Sequence, residues 1–186
     1  MAQRQSLRDL QYRLARRLSA AKTGATDASW LGVETAGRRY LLPLVQAGEI
    51  FSWTQVQPVP YTRPWFLGVA ALRGGLYGVV DLAALPGIGA GAPLTEFLDR
   101  VTSESRLISF HAALEVNAVL WVDKLLGLRS PTMFSALGDR AENAPSFFGR
   151  ILLDAQGESW QELNLQALVS DPTFLDITAD ASVATF

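Results

Sequence analysis

The sequence predicts a mainly β protein built from short antiparallel hairpins that form two similar small barrels. Three observations support this fold class. A Gly-Gly pair separates two apolar runs at residues 66–72 and 76–81, apolar residues recur with a period of two from residue 30 onward, and the pattern of residues 64–85 recurs at residues 145–168. A repeated unit of short antiparallel strands indicates two similar barrels side by side.

Residues 64–85 form the clearest element. Gly74-Gly75 lies between the two apolar runs, and glycine adopts the positive φ of a two-residue hairpin turn without steric cost. Near-continuous apolar runs are typical of strands that are covered on both faces. Asp81 follows the second run and is predicted to cap a short helix at residues 82–85, which Pro86-Gly87 ends.

The segment before residue 30 is predicted to be a basic amphipathic helix followed by a polar linker. Within residues 6–22, leucines recur on one helical face, at Leu7, Leu10, Leu14 and Leu18. Such a helix packs on its own domain, docks on a partner or lies on a membrane surface. The membrane is the least favoured of the three, because this face lacks Trp and Phe. Residues 1–22 carry a net charge of +5, so the remaining chain carries −7 of the overall −2.

Three more hairpins are predicted, with strands at 30–35 and 38–42 around Ala36-Gly37, at 105–110 and 116–122, and at 151–153 and 158–163. Residues 49–53 fit either a short strand or the start of a helix. Pro43 confines its strand to an edge or an end. The prolines that precede the central hairpin favour an extended approach to it, because each disfavours helix in the residue before it.

The C-terminal part ends in a short helix and a tail. Residues 125–142 carry weak signals and are predicted to be a long loop. Asn164 is predicted to cap a helix at residues 165–169, and Asp171-Pro172 is predicted to end that helix. Residues 178–186 are expected to form a flexible tail.

The two recurring segments have the same features in the same order: an extended approach, a glycine, a hairpin, a helix-capping residue and a short helix. Residues 64–68 match residues 145–149, so that Gly68 aligns with Gly149. Residues 82–85 match residues 165–168, and Asp81 aligns with Asn164. Both of these side chains can cap a helix.

Composition limits the class of protein. The chain has 186 residues, no cysteine and a net charge of −2. It therefore predicts no disulfide, no thiolate metal site and no nucleic-acid partner. We find neither an apolar run of about 18 residues nor the apolar core of a signal peptide, so we expect a cytoplasmic protein without a transmembrane helix.

The sequence carries few signs of catalysis. His111 is the single histidine and falls in a predicted turn, where a solvated side chain is the ordinary expectation. Glu96 and Asp99 have the spacing of a solvated helix face. The glycines of residues 86–93 suggest a phosphate loop, but no Gly-Lys-Ser/Thr follows, so a connector is favoured. We expect no enzyme activity, no cofactor and no metal site.

Arg73 is the sharpest candidate for a binding residue, because it interrupts an apolar run at a tight turn. It either pairs with Glu49 or Asp81 to hold the hairpin, or extends its guanidinium to a partner carboxylate or carbonyl. Glu49 has the same two interpretations. Most of the aromatic residues are expected in the core, although Trp53 or Trp65 beside the proline-rich connectors is a candidate for exposure.

Several of these segments resemble the CheW-like coupling proteins, and their order matches the family's order. They are Gly48-Glu49-Ile50, Val59-Pro60, Leu67-Gly68-Val69-Ala70-Ala71-Leu72-Arg73-Gly74, Val80-Asp81-Leu82 and Val122-Asp123-Lys124-Leu125. The resemblance covers roughly residues 30–168. The Pro64-Trp65 start and the helical extension before residue 30 are most similar to the PilI subgroup, which serves type IV pilus signalling.

The resemblance implies two five-stranded SH3-like barrels that share an apolar core. It also implies a non-enzymatic scaffold that links a CheA-type histidine kinase, through its regulatory domain, to the cytoplasmic tip of a methyl-accepting receptor, and so controls twitching motility. A peptide- or small-molecule-binding module of SH3-like type is the alternative. The partner-binding residues that we predict from the resemblance and the pattern together are Arg73, Glu49, Gly74, Leu72 and Trp65.

Three residues depart from the family's pattern. Ala71 stands where the family usually has Asn, Val119 where it has Gly, and Asn164 where Asp is common. The first two bear on the geometry of a partner surface rather than on the fold. We divide the chain into the N-terminal helix and linker at residues 1–28, the CheW-like domain at residues 29–177 and the tail at residues 178–186.

Overall fold

The structure, a computed structural model, describes residues 29–88, 99–138 and 144–179. Within these ranges it contains eleven strands: β1 (Trp30–Thr35), β2 (Arg38–Pro43), β3 (Ala47–Ser52), β4 (Phe66–Leu72), β5 (Gly75–Asp81), β6 (Arg106–Phe110), β7 (Ala118–Val122), β8 (Lys124–Arg129), β9 (Phe134–Gly138), β10 (Phe148–Asp154) and β11 (Ser159–Leu163). The predicted mainly β class is therefore confirmed.

The helices of the described residues are all short. Three are 3₁₀ turns, at Leu82–Ala84, Ala112–Leu114 and Pro131–Met133. Two are α-helical, α1 (Leu165–Val169) and α2 (Pro172–Leu175), and residues 99 and 100 are also helical. None of these elements supplies an independent layer, so the strands determine the architecture.

The strands form two sheets. The first has the order β8-β1-β2-β11-β10-β9, and the second has the order β3-β6-β7-β5-β4. The chain builds the β1–β2 hairpin of the first sheet, then the whole second sheet, and returns to the first sheet with β8. Two connections therefore cross between the sheets, one on each side of the second sheet in the sequence.

The two sheets repeat one pairing pattern. In each, two antiparallel pairs are followed by a parallel pair, β2 with β11 in the first sheet and β7 with β5 in the second, and then by an antiparallel hairpin. The first sheet adds β9 beyond that hairpin. The recurrence seen in the sequence therefore corresponds to a repeated arrangement of strands, although one sheet has six strands rather than the expected five.

Equivalent hydrogen bonds relate the two recurring hairpins. The Asp81 amide donates to the Trp65 carbonyl, and the Asn164 amide donates to the Phe147 carbonyl, both at 2.8 Å. Trp65 is thus the counterpart of Phe147, which shifts our sequence match by one residue. Both predicted caps are present, because the Asp81 carboxylate accepts from the Ala83 amide and the Asn164 side chain accepts from the Ala167 amide.

The buried apolar residues form three clusters. The largest lies between the two sheets and includes Leu42 and Leu163 of the first sheet and Val80 and Leu120 of the second. A smaller cluster belongs to the second sheet alone, around Trp121, and another to the first sheet, around Trp30 and Trp160. The shared apolar core that the resemblance implied is therefore present.

The prediction of a long loop at residues 125–142 is wrong. Most of this stretch forms β8 and β9, which pair with β1 and β10. Gly127 adopts a φ of +88°, and the β1–β8 pairing shifts register near this point. The irregularity breaks the alternation of apolar and polar residues, so a period-based interpretation found no strand there.

In three other segments the structure decides between alternatives or differs from the prediction in detail. Residues 49–53, which fitted a strand or a helix, fall largely in β3. Asp171 does end α1, but its carboxylate also caps α2 by accepting from the Thr173 amide at 2.9 Å. Thr178 and Ala179, predicted as the start of a tail, pair with Thr62 and Tyr61 instead.

The predicted N-terminal helix, most of the glycine-rich connector and the last seven residues lie outside the described residues. The same is true of Glu96.

Candidate interaction surface

The turn between β4 and β5 holds Arg73 in an unusual backbone conformation. Leu72 pairs with Gly75 across the hairpin, so the two-residue turn is Arg73-Gly74 rather than the Gly74-Gly75 that we predicted. Both turn residues have positive φ, +43° for Arg73 and +81° for Gly74. A primed hairpin turn requires this geometry, but it is strained for a residue that has a Cβ atom.

Arg73 forms an ion pair with Glu49 at the protein surface. Its Nη1 lies 2.7 Å from Oε2 of Glu49, and the two side chains are 75% and 56% exposed. The guanidinium carbon also lies 5.9 Å from the centre of the Phe51 ring. The first of our two interpretations of Arg73 therefore holds in part: the partner is Glu49, not Asp81, and both charged groups remain accessible from solvent.

Exposed apolar side chains lie on the same strands and hairpin as this ion pair. Leu76 is 64% exposed and pairs in register with the exposed Ala71, so both residues lie on one face of the hairpin. Ile50, next to Glu49 on β3, is 44% exposed. We use the term hairpin-tip surface for the exposed residues Glu49, Ile50, Ala71, Arg73, Gly74 and Leu76.

Our sequence reasoning missed Ile50 and Leu76, because an apolar residue in an apolar run looks like a core residue. The only signal was strand alternation. Tyr77 packs against the second sheet's cluster, so the adjacent Leu76 points to the opposite face of the strand. Gly74 itself has no heavy atom within 4 Å of the position of an added Cβ, so its backbone is open to approach.

Leu72 and Trp65 do not belong to this surface. Leu72 is buried in the cluster of the second sheet. Trp65 is buried in the cluster between the sheets, and its ring stacks on Phe174 at a centroid distance of 5.9 Å. Neither side chain is therefore exposed in this structure, contrary to the exposure considered for Trp65. The partner contacts of Leu72 and Trp65 stay a prediction.

A second ionic site lies between the two sheets. Arg100 contacts Asp81 at 2.9 Å and Asp123 at 2.8 Å, and it lies 4.4 Å above the ring of Trp121. Burial raises the pKa of the Asp81 carboxyl above its usual value, although the Arg100 guanidinium acts against this rise. Our sequence reasoning did not single out Arg100, because its partners lie 19 and 23 residues away along the chain.

The chain matches a known protein family over most of its length. The CheW-like domain matches residues 29–173, which is most of the chain. The chain belongs to the CheW-like family. PilI of Pseudomonas aeruginosa is 29% identical over 117 residues, which are 63% of this chain and 61% of that protein, so the match spans less than two thirds of the curated relative.

A CheW-like fold is also found among solved structures. The scaffolding protein TtCheW from Thermoanaerobacter tengcongensis matches with a TM-score of 0.54 and 17% sequence identity, over 74% of this chain and 88% of that one. At this identity the match supports the fold alone. The hairpin tip coincides with the Leu72-Arg73-Gly74 segment that carried the family resemblance, whereas Val119 lies fully buried in β7.

Catalytic geometry is not evident in the described part of this CheW-like protein. His111 is exposed, and its Nδ1 accepts from the Ala113 amide at 3.2 Å. This hydrogen bond caps the 3₁₀ turn at Ala112–Leu114. Among residues 29–88, 99–138 and 144–179, no group of three His, Cys, Asp or Glu side chains is placed to hold a metal ion. No helix in these ranges is both long and apolar enough to span a bilayer.

Proposed function

We propose that this protein is a non-enzymatic scaffold that couples a CheA-type histidine kinase to the cytoplasmic tip of a methyl-accepting receptor. The observation that carries the proposal is Arg73, whose guanidinium is exposed at a strained turn in the segment that matches the family's motif. An exposed residue in a strained conformation stabilises the fold little, and such residues cluster at functional sites. An arginine fork suits a partner carboxylate or carbonyl.

The hairpin-tip surface has the composition of a protein interface. It combines one exposed charged pair with the exposed side chains of Ile50, Leu76 and Ala71, and Arg is among the residues enriched at interface centres. Within it, Arg73, Glu49 and Gly74 are the residues of our original set that remain candidates for partner contact. The mechanism is positional: one body holds two partners in a fixed arrangement, and their coupling free energy passes through the shared complex.

We also propose that each sheet closes into an SH3-like barrel. After β3, the chain continues to Gln57, which exchanges backbone hydrogen bonds with Val69 of β4 at 2.8 and 2.9 Å. One stretch of chain thus contacts both edges of the second sheet. In the first sheet, β8 pairs with β1 and β9 pairs with β10, with only residues 130–133 between them. Counting β8 and β9 as one bent strand gives five strands in each barrel.

The cellular role that we propose is control of type IV pilus twitching motility, in the cytoplasm beside membrane-bound receptor arrays. The likeness to PilI supports this role, as does the Pro64-Trp65 start of the central hairpin. We propose the domain division given above as well, with residues 1–28 outside the barrels. A chain that begins at Asp27 should then unfold cooperatively, and an insoluble product would contradict this boundary.

The alternative is an SH3-like module that binds a peptide or small molecule outside chemotaxis. An open cleft of about 350 Å³ on the first sheet, lined by Arg38, Tyr40, Ile151 and Gln161 among others, is the feature that favours it. A ligand of this cleft would leave the hairpin-tip surface untouched, so the two functions predict different sensitive residues.

Co-sedimentation with purified partners tests the proposal. The kinase regulatory domain and a receptor cytoplasmic fragment are mixed with this protein, singly and together, and the kinase without its regulatory domain is the control. We expect binding to each partner and a complex of all three. Failure to bind either partner, in a protein that melts cooperatively, would contradict the scaffold function and favour the alternative module.

A further inference from the structure

Arg100 joins the two sheets through a single guanidinium group. Its Nη1 lies 2.9 Å from Oδ2 of Asp81, at the end of β5 in the second sheet. Its Nη2 lies 2.8 Å from Oδ1 of Asp123, where the chain passes from β7 to β8. The same nitrogen donates to Oγ1 of Thr35, at the end of β1 in the first sheet, at 3.2 Å.

The groups around Arg100 are themselves fixed. Asp123 accepts from the Ala36 amide at 2.7 Å, and its own amide donates to the Glu34 carbonyl at 3.0 Å. Asp123 therefore ties the β1–β2 turn of the first sheet to the end of β7. The Arg100 guanidinium carbon also packs on Trp121 of the second sheet, 4.4 Å from the centre of its ring. Asp81 is almost fully buried and also caps the 3₁₀ turn at Leu82–Ala84.

The apolar core between the sheets and the Arg100 site contribute in different ways. Apolar burial is favourable but non-directional, so it holds the sheets together without selecting one angle between them. Charge-assisted hydrogen bonds from a planar guanidinium are directional, and they constrain distance and orientation together.

We infer that Arg100 is a positioning residue that fixes the angle between the two sheets and, with it, the placement of the hairpin-tip surface of the second sheet relative to the first sheet. The first half of this inference concerns the protein alone. The second half rests on the proposed scaffold function.

Arg39 provides a matched control within one sheet. It contacts Glu158 at 3.0 Å and Asp154 at 3.9 Å, and its guanidinium carbon lies 5.6 Å from the centre of the Trp160 ring. It therefore has two carboxylates and an indole, as Arg100 has. All of its partners belong to the first sheet or its β10–β11 turn, so removing it breaks a similar set of contacts without releasing one sheet from the other.

A spin-label distance between the two sheets reports changes in their relative arrangement. The chain has no cysteine, so Ala113→Cys in the second sheet and Met133→Cys between β8 and β9 of the first sheet place two labels at exposed turns. The doubly labelled protein is then compared with versions that also carry Arg100→Ala, Arg100→Lys or Arg39→Ala. Thermal melts of each variant report stability separately.

We expect one narrow distance distribution in the parent protein, a broadened or shifted one with Arg100→Ala, and an unchanged one with Arg39→Ala. Arg100→Lys should fall between these, because one ammonium group cannot reproduce the fork that contacts both aspartates and Thr35. A folded Arg100→Ala protein with the parent distribution would overturn the inference. If that variant does not fold, the parent distribution in Arg100→Lys would overturn it equally.

Binding measurements test the second half. Arg100→Lys should bind the isolated kinase domain and the isolated receptor fragment as the parent does, whereas assembly of all three should weaken by about tenfold, or about 1.4 kcal/mol. Equal assembly by a variant with altered distances would overturn this half. If the parent protein binds neither partner, the scaffold function fails, while the distance result still decides the role of Arg100.

Discussion

Two arginine sites in this protein use the same chemistry in opposite surroundings. At the hairpin tip, Arg73 and Glu49 are 75% and 56% exposed and contact each other at 2.7 Å. Between the sheets, the Arg100 and Asp81 side chains are 19% and 3% exposed and contact each other at 2.9 Å. Distance alone would rank the two pairs as equal, so their difference in burial decides what each contributes.

Water explains the difference. An exposed pair gains little, because solvent already stabilises each charge, and such pairs contribute about 0.2–1 kcal/mol. A buried pair contributes little to stability relative to an apolar replacement, but removing one partner leaves a charge without water or counterion. The Arg100 site is therefore a structural element, and the hairpin tip retains charges that a partner can use.

The largest effect is expected at the Arg100 site. Arg100→Leu leaves Asp81 buried and Asp123 unpaired, so the free energy of unfolding should fall by about 3 kcal/mol or more. Urea denaturation at neutral pH measures the loss. Arg39→Leu, which removes a more exposed arginine from within one sheet, should cost clearly less. Equal losses would show that burial does not separate these sites.

Acid should recover much of that loss. Burial already raises the pKa of Asp81, and Arg100 acts against the rise, so its removal raises this pKa further in the folded state. A raised pKa means that the folded variant binds the proton more tightly than the unfolded chain does. The stability deficit is then full above the folded pKa and shrinks as the pH falls through it. Denaturation of both proteins from about pH 7 down to about pH 4, near the unfolded-state value for Asp, measures this change; a deficit that stays constant over this whole range would contradict a buried, unpaired Asp81.

At the hairpin tip, the expected loss is in assembly rather than in folding. Arg73→Ala should weaken binding to the kinase domain or the receptor fragment by about 2 kcal/mol, roughly thirtyfold, with stability changed by at most about 1 kcal/mol. The matched control is Arg150→Ala in β10, which removes an exposed arginine from a pair with Glu162. A large fall in melting temperature with affinity unchanged would show that Arg73 serves the hairpin instead.

The contrast also explains what the sequence could and could not predict. The hairpins and the caps at Asp81 and Asn164 depend on local patterns, and the shared core was implied by the family resemblance; all of them are present. β8 was missed because Gly127 and a register shift interrupt its alternation, and β9 pairs with β10 across a second register shift. The Arg100 site depends on residues that become neighbours only when the sheets meet, and no local pattern encodes that contact.

The surface itself was half predictable. Arg73 was found because a charge in an apolar run is conspicuous, and Glu49 because it lies in the Gly48-Glu49-Ile50 segment that resembles the family. Leu72 is buried while its neighbour Ala71 is exposed, because adjacent strand residues point to opposite faces. Trp65 precedes β4 and stacks on Phe174, a contact between distant residues that no local pattern encodes. The turn also lies one residue earlier than expected, at Arg73-Gly74.

The two caps offer a smaller test of the same comparison. Asn164 caps α1 with a neutral side chain at an exposed position, whereas Asp81 caps its turn while paired with Arg100. Asn164→Ala should reduce the free energy of unfolding by about 1 kcal/mol, measured by urea denaturation. Asp81→Ala should cost more, because it also leaves Arg100 without its most buried partner. A reversed order would mean that Arg100 reorganises freely around Asp123.

The smallest expected effect has the opposite sign. Arg73→Gly relieves the strain of a side chain at a φ of +43°, and this gain exceeds or balances the loss of an exposed pair and the added freedom of the unfolded chain. The free energy of unfolding should therefore stay constant or rise by up to about 1 kcal/mol. Ala36→Gly is the matched control, because Ala36 has a φ of +48° at the same position of the β1–β2 turn. Both variants should melt at or above the parent temperature, but only Arg73→Gly should impair assembly, which would mean that the strained arginine is kept for its partner. If Arg73→Gly instead loses more than about 1 kcal/mol while Ala36→Gly does not, the pair with Glu49 holds the hairpin tip together.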